Sequence, residues 1–302
     1  MKVIVALGGN ALLRRGEAMT SANQRENVKH AARSIAELVT AGHQVTVTHG
    51  NGPQIGLLAL QSAAYDTASA FPLDLLGAET EGMIGYLIEQ ELENALGPEH
   101  KVATLLTQIE VDPRDPAFGN PTKPVGPVYE EAEARKLAQA RGWTVKPDGA
   151  KFRRVVASPK PKHIPDTAII KLLLDHDVTV ICAGGGGIPV VRRPDGSLVG
   201  VEAVIDKDAA SCLLATDIET DALLLLTDVD RVYLNWGTDE QQGLGKVSLD
   251  ELSRHEFAAG SMQPKVDAAC KFVKQTGGIA GIGRLEDALG ILEGRAGTLV
   301  ST

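Results

Sequence analysis

Glycine-rich turns follow the apolar, strand-like runs of this sequence. They lie at 8–9, 50–52 and 184–187, and a further pair of glycines at 277–278 precedes Ile279. Glycine lets backbone N–H groups approach a ligand closely, and helix starts add partial positive charge. Lysines at positions 123, 207 and 265 supply full charges. The combination predicts a site for phosphate groups and makes phosphoryl transfer the first hypothesis.

Strand-like and helix-like segments alternate along most of the chain. This pattern is typical of an α/β fold with an open, mainly parallel sheet between layers of helices. Strands are predicted near 2–7, 44–48, 101–107, 178–183, 223–226, 279–282 and 297–300. Helices are predicted near 22–41, 53–64, 78–96, 130–141, 166–175, 207–216, 265–275 and 285–292. Ligands of such sheets bind beyond the carboxyl ends of the strands, so we expect the glycine turns to meet there.

Two predicted helix starts carry capping residues. Ser21 and Gln24 have the spacing of a capping box, and Asp206 is the expected N-cap of helix 207–216. Lys207 and Lys265 then stand at the starts of their helices. Each lysine alone is equally consistent with an exposed surface residue, and only the common pattern favours a site.

The stretch from about 110 to 163 differs in composition from the rest. It holds more than half of the 15 prolines. Long irregular segments within compact domains are usually functional. We therefore predict one domain over 1–302 with an inserted flap subdomain at about 110–163. Within it, the segment 152–156 either binds phosphate or forms an exposed edge strand.

The composition of the chain limits the kinds of binding partner that it can have. The net charge of -9 and the pI near 5.3 argue against nucleic acid and anionic membranes as main partners. No apolar run reaches the roughly 20 residues that span a bilayer. The three cysteines are far apart and match neither a metal site nor a disulfide framework, so we expect a cytoplasmic protein.

Common nucleotide-binding patterns are missing. Neither the Walker A pattern nor the Gly-x-Gly-x-x-Gly fingerprint occurs at the glycine clusters, which argues against P-loop enzymes and ordinary dehydrogenases. The segment 227–233 places polar and acidic groups after a four-leucine strand. Such groups suit a nucleotide, although a simple polar loop is equally consistent with them. His49 is either a general base or, as the pattern favours, a residue that orients its loop or is simply packed.

Taken together and in order, these motifs resemble the carbamate kinases, a family within the amino-acid kinase superfamily. The resemblance runs from Val3 to Val300. It is carried by the segments 6–12, 48–56, 115–127, 183–190, 204–208 and 260–265. The Asn-Pro-Thr-Lys sequence ending at Lys123 is specific to this family within the superfamily.

The resemblance implies a phosphotransferase with a carboxyl-type acceptor. It would transfer phosphate reversibly between ATP and carbamate, giving ADP and carbamoyl phosphate, with Mg²⁺ on the nucleotide and no metal ligand from the protein. The usual role is ATP synthesis during catabolism of arginine or of purine-derived carbamoyl compounds. A homodimer and a small protruding subdomain are also implied.

The resemblance further implies three groups of site residues. The group for substrate and phosphate comprises Gly8, Gly9, Asn10, Gly50, Asn51 and Gly52. The catalytic group comprises Lys123, Lys207, Asp208 and Lys265, with Asp208 orienting the lysines. The nucleotide group comprises Gly185, Gly186, Thr227, Asp228, Val229 and Tyr233.

The chain departs from the family pattern at two places. It has Ala-Lys-Phe-Arg-Arg at 150–154 where Arg-Gly-Tyr-Arg-Arg is frequent, and Glu-Thr-Glu-Gly at 79–82 where Met-Ser-Gln-Gly is frequent. We expect neither departure to touch the phosphate ligands, and both to affect flap detail and dimer contacts. Two alternatives stay open. One is a superfamily kinase acting on a bulkier acid such as acetylglutamate, and the other is a nucleotide-binding regulator without catalysis.

Overall fold

The structure, a computed structural model, describes residues 1–14, 16–65, 70–258 and 261–302, and only the backbone at residue 10. Its strands are β1 (Lys2–Leu7), β2 (Gln44–His49), β3 (Lys101–Thr104), β4 (Gln108–Val111), β5 (Lys123–Tyr129), β6 (Thr144–Asp148), β7 (Lys151–Val156), β8 (Pro161–His163), β9 (Val178–Ile181), β10 (Ile188–Arg192), β11 (Leu198–Gly200), β12 (Ala222–Thr227), β13 (Tyr233–Leu234), β14 (Gln242–Gly243), β15 (Lys246–Ser248), β16 (Ile279–Arg284) and β17 (Thr298–Ser301). Its helices are α1 (Ser21–Thr40), α2 (Gly52–Tyr65), α3 (Leu73–Leu96), α4 (Glu131–Arg141), α5 (Thr167–Asp175), α6 (Lys207–Asp217), α7 (Leu249–Leu252), α8 (Gln263–Thr276) and α9 (Ala288–Leu292).

The largest sheet has the strand order β15-β17-β16-β12-β1-β2-β9-β3. Neighbouring strands from β16 to β3 are parallel. The strand β17 is antiparallel to β16, and β15 pairs in parallel with β17. The prediction of an open, mainly parallel sheet is confirmed.

Helices cover both faces of this sheet. Along β1, Ile4 and Ala6 belong to one apolar cluster, whereas Val3 and Val5 belong to another on the opposite face. The first cluster includes residues of α6 and α8, and the second includes residues of α1 and α3. Because a parallel strand is buried on both faces, its sequence reads as a continuous apolar run.

The proline-rich segment divides between two smaller sheets. The strands β4 and β8 join β10 and β11 in a sheet of order β11-β10-β4-β8, and β5, β7 and β6 form an antiparallel sheet next to α4. This sheet and α4 cover residues 123–156, called the subdomain below, a shorter stretch than the predicted flap at about 110–163. Because β7 is the central strand of that sheet, the alternative of an exposed edge strand at 152–156 is wrong.

The subdomain packs on α2 beside the main sheet. Ile55, Val125 and Val156 belong to one buried apolar cluster that joins α2 to the subdomain. A Cβ on Gly56 would lie 2.4 Å from the Cα of Gly126. Glycine at position 56 is therefore required for the backbones of α2 and β5 to cross in contact.

Three local predictions differ from the structure. The N-cap of α1 is Thr20 rather than Ser21, because the Thr20 hydroxyl accepts from the backbone N–H of Asn23 at 3.2 Å. The helix α3 begins at Leu73, directly after Pro72, and not near 78. The strand predicted over 101–107 ends at Thr104 as β3, and the next strand, β4, begins at Gln108 in a different sheet. Asp206 is confirmed as the N-cap of α6.

No helix in the described ranges is long and apolar enough to cross a membrane.

Candidate active site

A cleft of about 380 Å³ at the carboxyl ends of β1, β2 and β12 brings most of the predicted site residues together. Its lining includes Gly8, Gly9, Gly50, Asn51, Gly52, Lys123, Arg153, Gly185, Asp206, Lys207, Asp208, Thr227, Asp228, Ser261 and Lys265. Several elements that are distant in the sequence therefore contribute to one concave surface, as expected for the carboxyl edge of a parallel sheet.

The turns after β1 and β2 pack against neighbouring backbone. The N–H of Gly8 donates to the carbonyl oxygen of Leu226 at 3.0 Å, and a Cβ on Gly8 would lie 2.9 Å from that oxygen. A Cβ on Gly50 would lie 3.3 Å from the backbone nitrogen of Gly9. Side chains at these positions would push the two turns apart, so glycine keeps their backbones at the cleft surface.

The loop after β9 has an unusual backbone. Ala183, Gly185, Gly186 and Gly187 have φ angles of 51°, 66°, 97° and 81°. A Cβ on Gly185 would lie 2.1 Å from Nδ2 of Asn51. The loop 183–187, called the Gly184 loop below, therefore packs directly on the turn after β2.

A buried carboxylate joins two lysines on the cleft floor. Nζ of Lys207 lies 2.5 Å from Oδ1 of Asp208, and Nζ of Lys265 lies 3.0 Å from Oδ2 of the same side chain. Asp208 is only 3% exposed. Burial alone would raise the pKa of Asp208, but attraction to both ammonium groups outweighs it and gives a pKa of about 2. The three side chains together carry one positive charge in excess at neutral pH.

Lys123 reaches this cleft from the first position of β5. Its Nζ lies 2.7 Å from Oδ2 of Asp206, whose Oδ1 accepts from the backbone N–H groups of Asp208 and Ala209. Burial and the charge of Asp208 raise the pKa of Asp206, but Lys123 and the N–H of Ala209 together lower it by more, so the pKa lies below its usual value. Asp206 thus caps α6 and pairs with a catalytic candidate, whereas the sequence indicated the cap alone.

Some predicted residues lie elsewhere. Within the described part of the chain, Gly186, Val229 and Tyr233 do not line the cleft. The Tyr233 hydroxyl donates to Oδ1 of Asp230 at 2.8 Å, and its ring centroid lies 5.1 Å from that of Trp236. The side chain of Asn10 and all of Gly260 lie outside the described residues, so the assignment of Asn10 rests on its sequence position.

The helix α3 supports the cleft from below. Nδ2 of Asn51 donates to Oγ1 of Thr80 at 2.8 Å, and the carboxyl group of Glu81 accepts from the N–H groups of Thr107 and Gly184. The expectation that residues 79–82 touch no phosphate ligand is therefore wrong, because Thr80 holds Asn51. The polar run 79–81, between the apolar stretches 75–78 and 83–88 of the same helix, was the available signal.

His49 is buried behind the turn after β2. It is 1% exposed, is not among the described residues that line the cleft, and its Nδ1 lies 3.1 Å from the carbonyl oxygen of Gly50. Burial lowers its pKa to about 4. This placement favours the alternative in which His49 orients its loop over the alternative in which it acts as a base.

The arrangement is suited to anions. Lys123, Lys207 and Lys265 line one cleft with backbone turns and two helix starts, which are groups of the kind that bind phosphate oxygens in proteins. The described residues contain no group of three or more His, Cys, Asp or Glu side chains placed to hold a metal ion.

The fold and the site define a phosphotransferase of the amino acid kinase class. The sequence profile of the amino acid kinase family matches residues 1–282. The carbamate kinase of Rhizobium meliloti is 56% identical over 100% of this chain and 94% of its own length, and that of Haemophilus influenzae is 52% identical over 100% and 97%. The solved carbamate kinase from Giardia lamblia bound to AMP-PNP superposes with a TM-score of 0.92, at 41% identity over 99% of this chain and 98% of that one. The chain belongs to the carbamate kinases of the amino acid kinase family, and it is a kinase.

Proposed function

We propose that this chain transfers a phosphoryl group reversibly between ATP and carbamate, giving ADP and carbamoyl phosphate. The observation that carries the proposal is the Lys207–Asp208–Lys265 arrangement on the cleft floor, with Lys123 in the same cleft and paired with Asp206. The match over the whole chain to carbamate kinases supports this substrate over acetylglutamate.

The lysines would act on the charge of the transferred group. In phosphoryl transfer, negative charge spreads over the three equatorial oxygens, so catalysis consists mainly of positioning and neutralisation. Lys207 and Lys265 would lie on either side of that group, and Asp208 would fix both ammonium groups before substrate binds. A carbamate anion is already a nucleophile and needs no base, which agrees with a neutral, buried His49.

The two ends of the cleft would hold different ligands. Gly8, Gly9, Asn10, Gly50, Asn51 and Gly52 would hold the carbamoyl phosphate end through backbone and amide donors. Gly185, Thr227 and Asp228, which line the cleft, are proposed for the nucleotide end, and Gly186, Val229 and Tyr233 are proposed for the part of the nucleotide that extends beyond the cleft. The solved Giardia relative binds AMP-PNP, which supports a nucleotide as a ligand of this chain.

Mg²⁺ fits this site as a companion of the nucleotide. Lysines already engage the carboxylates of Asp206 and Asp208, and such a metal is usually held by phosphates and water. When bound, the ion would neutralise charge on the β- and γ-phosphates. The protein's contribution would be limited to orienting those phosphates through Lys265 and the backbone turns.

We propose a mobile flap role for the subdomain, residues 123–156. It carries Lys123 on β5 and meets the rest of the chain through the crossing of Gly56 and Gly126. Closure would exclude water from a labile acyl phosphate. Hydrogen exchange in this segment should slow when ADP and carbamoyl phosphate bind together. Equal exchange with and without ligands would contradict a flap.

We also propose a homodimer formed through α3. Leu75, Met83 and Tyr86 are exposed on this helix, and Leu106 is exposed nearby. Contiguous exposed apolar side chains of this kind usually mark a protein interface. Sedimentation should give twice the mass of one chain, and Tyr86→Lys should shift the protein toward monomer. A monomeric wild-type protein would refute the assignment.

We propose that the enzyme works in the cytoplasm and makes ATP from carbamoyl phosphate during catabolism of arginine or of purine-derived compounds. The acceptor is tested by a substrate panel with coupled ADP release. Carbamate should support ADP release, whereas N-acetylglutamate and acetate should not. Phosphorylation of N-acetylglutamate without that of carbamate would replace this proposal by the alternative kinase, and no transfer to any acid would favour the regulator.

A further inference from the structure

A carboxyl group on α3 lies beneath the Gly184 loop. Glu81 is 1% exposed, and its Oε1 accepts from the N–H of Gly184 at 2.6 Å. Its Oε2 accepts from the N–H of Thr107 at 3.0 Å. The Thr107 hydroxyl in turn accepts from the N–H of Ala183 at 2.9 Å. One side chain thus anchors the loop both directly and through Thr107.

The Gly184 loop needs such an anchor. Ala183 has a φ angle of 51°, which costs an L-residue about 1–2 kcal/mol, and three glycines with positive φ follow it. A strained loop keeps one conformation only where its surroundings hold it. Gly185 of this loop lines the cleft and packs on Asn51. Movement of the loop would therefore change the shape of the phosphate site.

His49 lies against the same point and has an unused acceptor. Because a carbonyl oxygen only accepts, the contact between Nδ1 and Gly50 places the hydrogen on Nδ1 and leaves Nε2 as an acceptor. That buried Nε2 has no hydrogen-bond partner among the described residues. Both Nε2 of His49 and Cγ of Glu81 lie within 2.6 Å of the point where a Cβ on Gly184 would stand. A hydrogen on the carboxyl group is the donor that this Nε2 lacks.

We propose that Glu81, in its protonated form, is a positioning residue that joins the Gly184 loop to the His49–Gly50 turn and so shapes the phosphate site. The hydroxyl of its carboxyl group donates to Nε2 of His49 once the side chain turns toward the histidine, while its carbonyl oxygen keeps the N–H of Gly184. This inference rests on the proposed function, because its effect is measured as a change in catalysis at the phosphate site.

The surroundings of Glu81 favour the protonated form of its carboxyl group. Burial, with a smaller contribution from the charge of Asp166, raises the pKa of Glu81 to about 8 against the two backbone N–H groups that lower it. Burial and Lys207 lower the pKa of His49, so the histidine does not take the proton. The remaining titratable neighbour, Cys182, has a raised pKa and stays a neutral thiol. The neutral carboxyl group therefore dominates below about pH 8 and is lost as the pH rises through that value.

The test is the pH dependence of kcat/KM for carbamoyl phosphate. In wild type, kcat/KM should fall as the pH rises through about 8, as one essential acid ionises. Glu81→Gln keeps a permanent N–H donor for His49 and a carbonyl acceptor for Gly184. It should retain the neutral-pH rate within about 3-fold and lack this ionisation. Glu81→Ala should lose about 10-fold or more at every pH, because the loop loses its anchor.

A matched control separates this effect from other ionisations. Glu79 lies two residues away on the same helix and is exposed, so Glu79→Gln should keep the wild-type profile. Lys207 and Lys265 are present in every variant, so the difference between wild type and Glu81→Gln isolates Glu81. An infrared difference spectrum of these two proteins at pH 7 should show a protonated carboxyl band in wild type alone.

The outcomes are distinguishable. This inference would be overturned by identical pH profiles of kcat/KM for wild type and Glu81→Gln. It would also be overturned by a difference spectrum at pH 7 in which the wild-type band of Glu81 is that of a carboxylate. Neither result would affect the proposed kinase activity. A wild-type protein that makes no ATP at any pH would refute the proposed function instead. Should Glu81→Ala fail to fold, the comparison with Glu81→Gln still decides.

Discussion

Replacing Asp208 by asparagine removes the carboxylate that Lys207 and Lys265 share. The substitution preserves shape, so no cavity forms, but the two ammonium groups lose the charge lying 2.5 Å and 3.0 Å away. Both lysines are almost fully buried and have little access to water. The change therefore tests whether Asp208 holds two like charges together on the cleft floor.

The size of the effect follows from the buried charges. Lowering the pKa of Asp208 from 3.8 to about 2 corresponds to about 2 kcal/mol in favour of the folded carboxylate. Removing one member of a buried ion pair typically costs about 3–5 kcal/mol, since the remaining charge is left uncompensated. We expect the free energy of unfolding to fall by about 3 kcal/mol. We expect kcat to fall by about 10²-fold, as for other displaced transition-state donors.

The affinity of the cleft for anions should rise in Asp208→Asn, although the free energy of unfolding and kcat fall. Without Asp208 the floor carries one more positive charge, so the KM for carbamoyl phosphate should not rise. Inorganic phosphate should stabilise Asp208→Asn more than it stabilises wild type, because ligand binding adds to folding free energy. Denaturant unfolding with and without phosphate, together with steady-state kinetics, measures all three effects. Asp239→Asn, at an exposed loop position, is the control.

The difference in stability between wild type and Asp208→Asn should change with pH in a defined direction. A depressed pKa gives stability that is present above the unfolded pKa and is lost as the pH falls through the folded pKa. The stability gap between wild type and Asp208→Asn should therefore be constant near neutral pH and shrink between about pH 4 and pH 2. Unfolding free energies and kcat equal to wild type at pH 7 would refute the shared-carboxylate reasoning.

Four further substitutions test neighbouring parts of the site. Lys207→Ala and Lys265→Ala should each lower kcat by about 10²-fold or more, while ADP affinity, measured by calorimetry, changes less. Lys271→Ala, at an exposed position, should have no effect. Unchanged turnover in either cleft variant would exclude a catalytic role for the lysine that was replaced. Lys123→Ala should raise the KM for carbamoyl phosphate and lower kcat with little change for ADP, and normal kinetics would make the subdomain merely structural. Gly56→Ala should misplace β5, because its Cβ would meet Gly126 at 2.4 Å, and so reproduce the effect of Lys123→Ala in a protein that keeps Lys123.

The sequence predicted the parts of the site that depend on local pattern. Strand ends, glycine turns and helix starts are each written in a few adjacent residues, so Gly8, Gly50 and Lys207 could be placed at the carboxyl edge of the sheet. The cap formed by Asp206 was found in the same way. Once β1, β2 and β12 are parallel neighbours, these local features must meet.

Contacts between distant elements could not be predicted in this way. Glu81 meets Gly184 across 103 positions, and Lys123 meets Asp206 across 83. Both contacts depend on the order of the elements in space, which local periodicity does not encode. For the same reason, the sequence could not show that the segment 152–156 has a strand on each side. The neighbours of a strand are set by the sheet and not by the strand's own residues.

Initial-rate formation of ATP from ADP and carbamoyl phosphate tests the central claim most directly. Purified protein with Mg²⁺ should make ATP in proportion to enzyme concentration, with acetyl phosphate a poor donor. Asp208→Asn and Lys265→Ala should lower that rate by about 10²-fold while the variants still bind ADP. ADP binding without ATP formation in wild type, or full activity in both variants, would contradict the account of this cleft as a phosphoryl-transfer site.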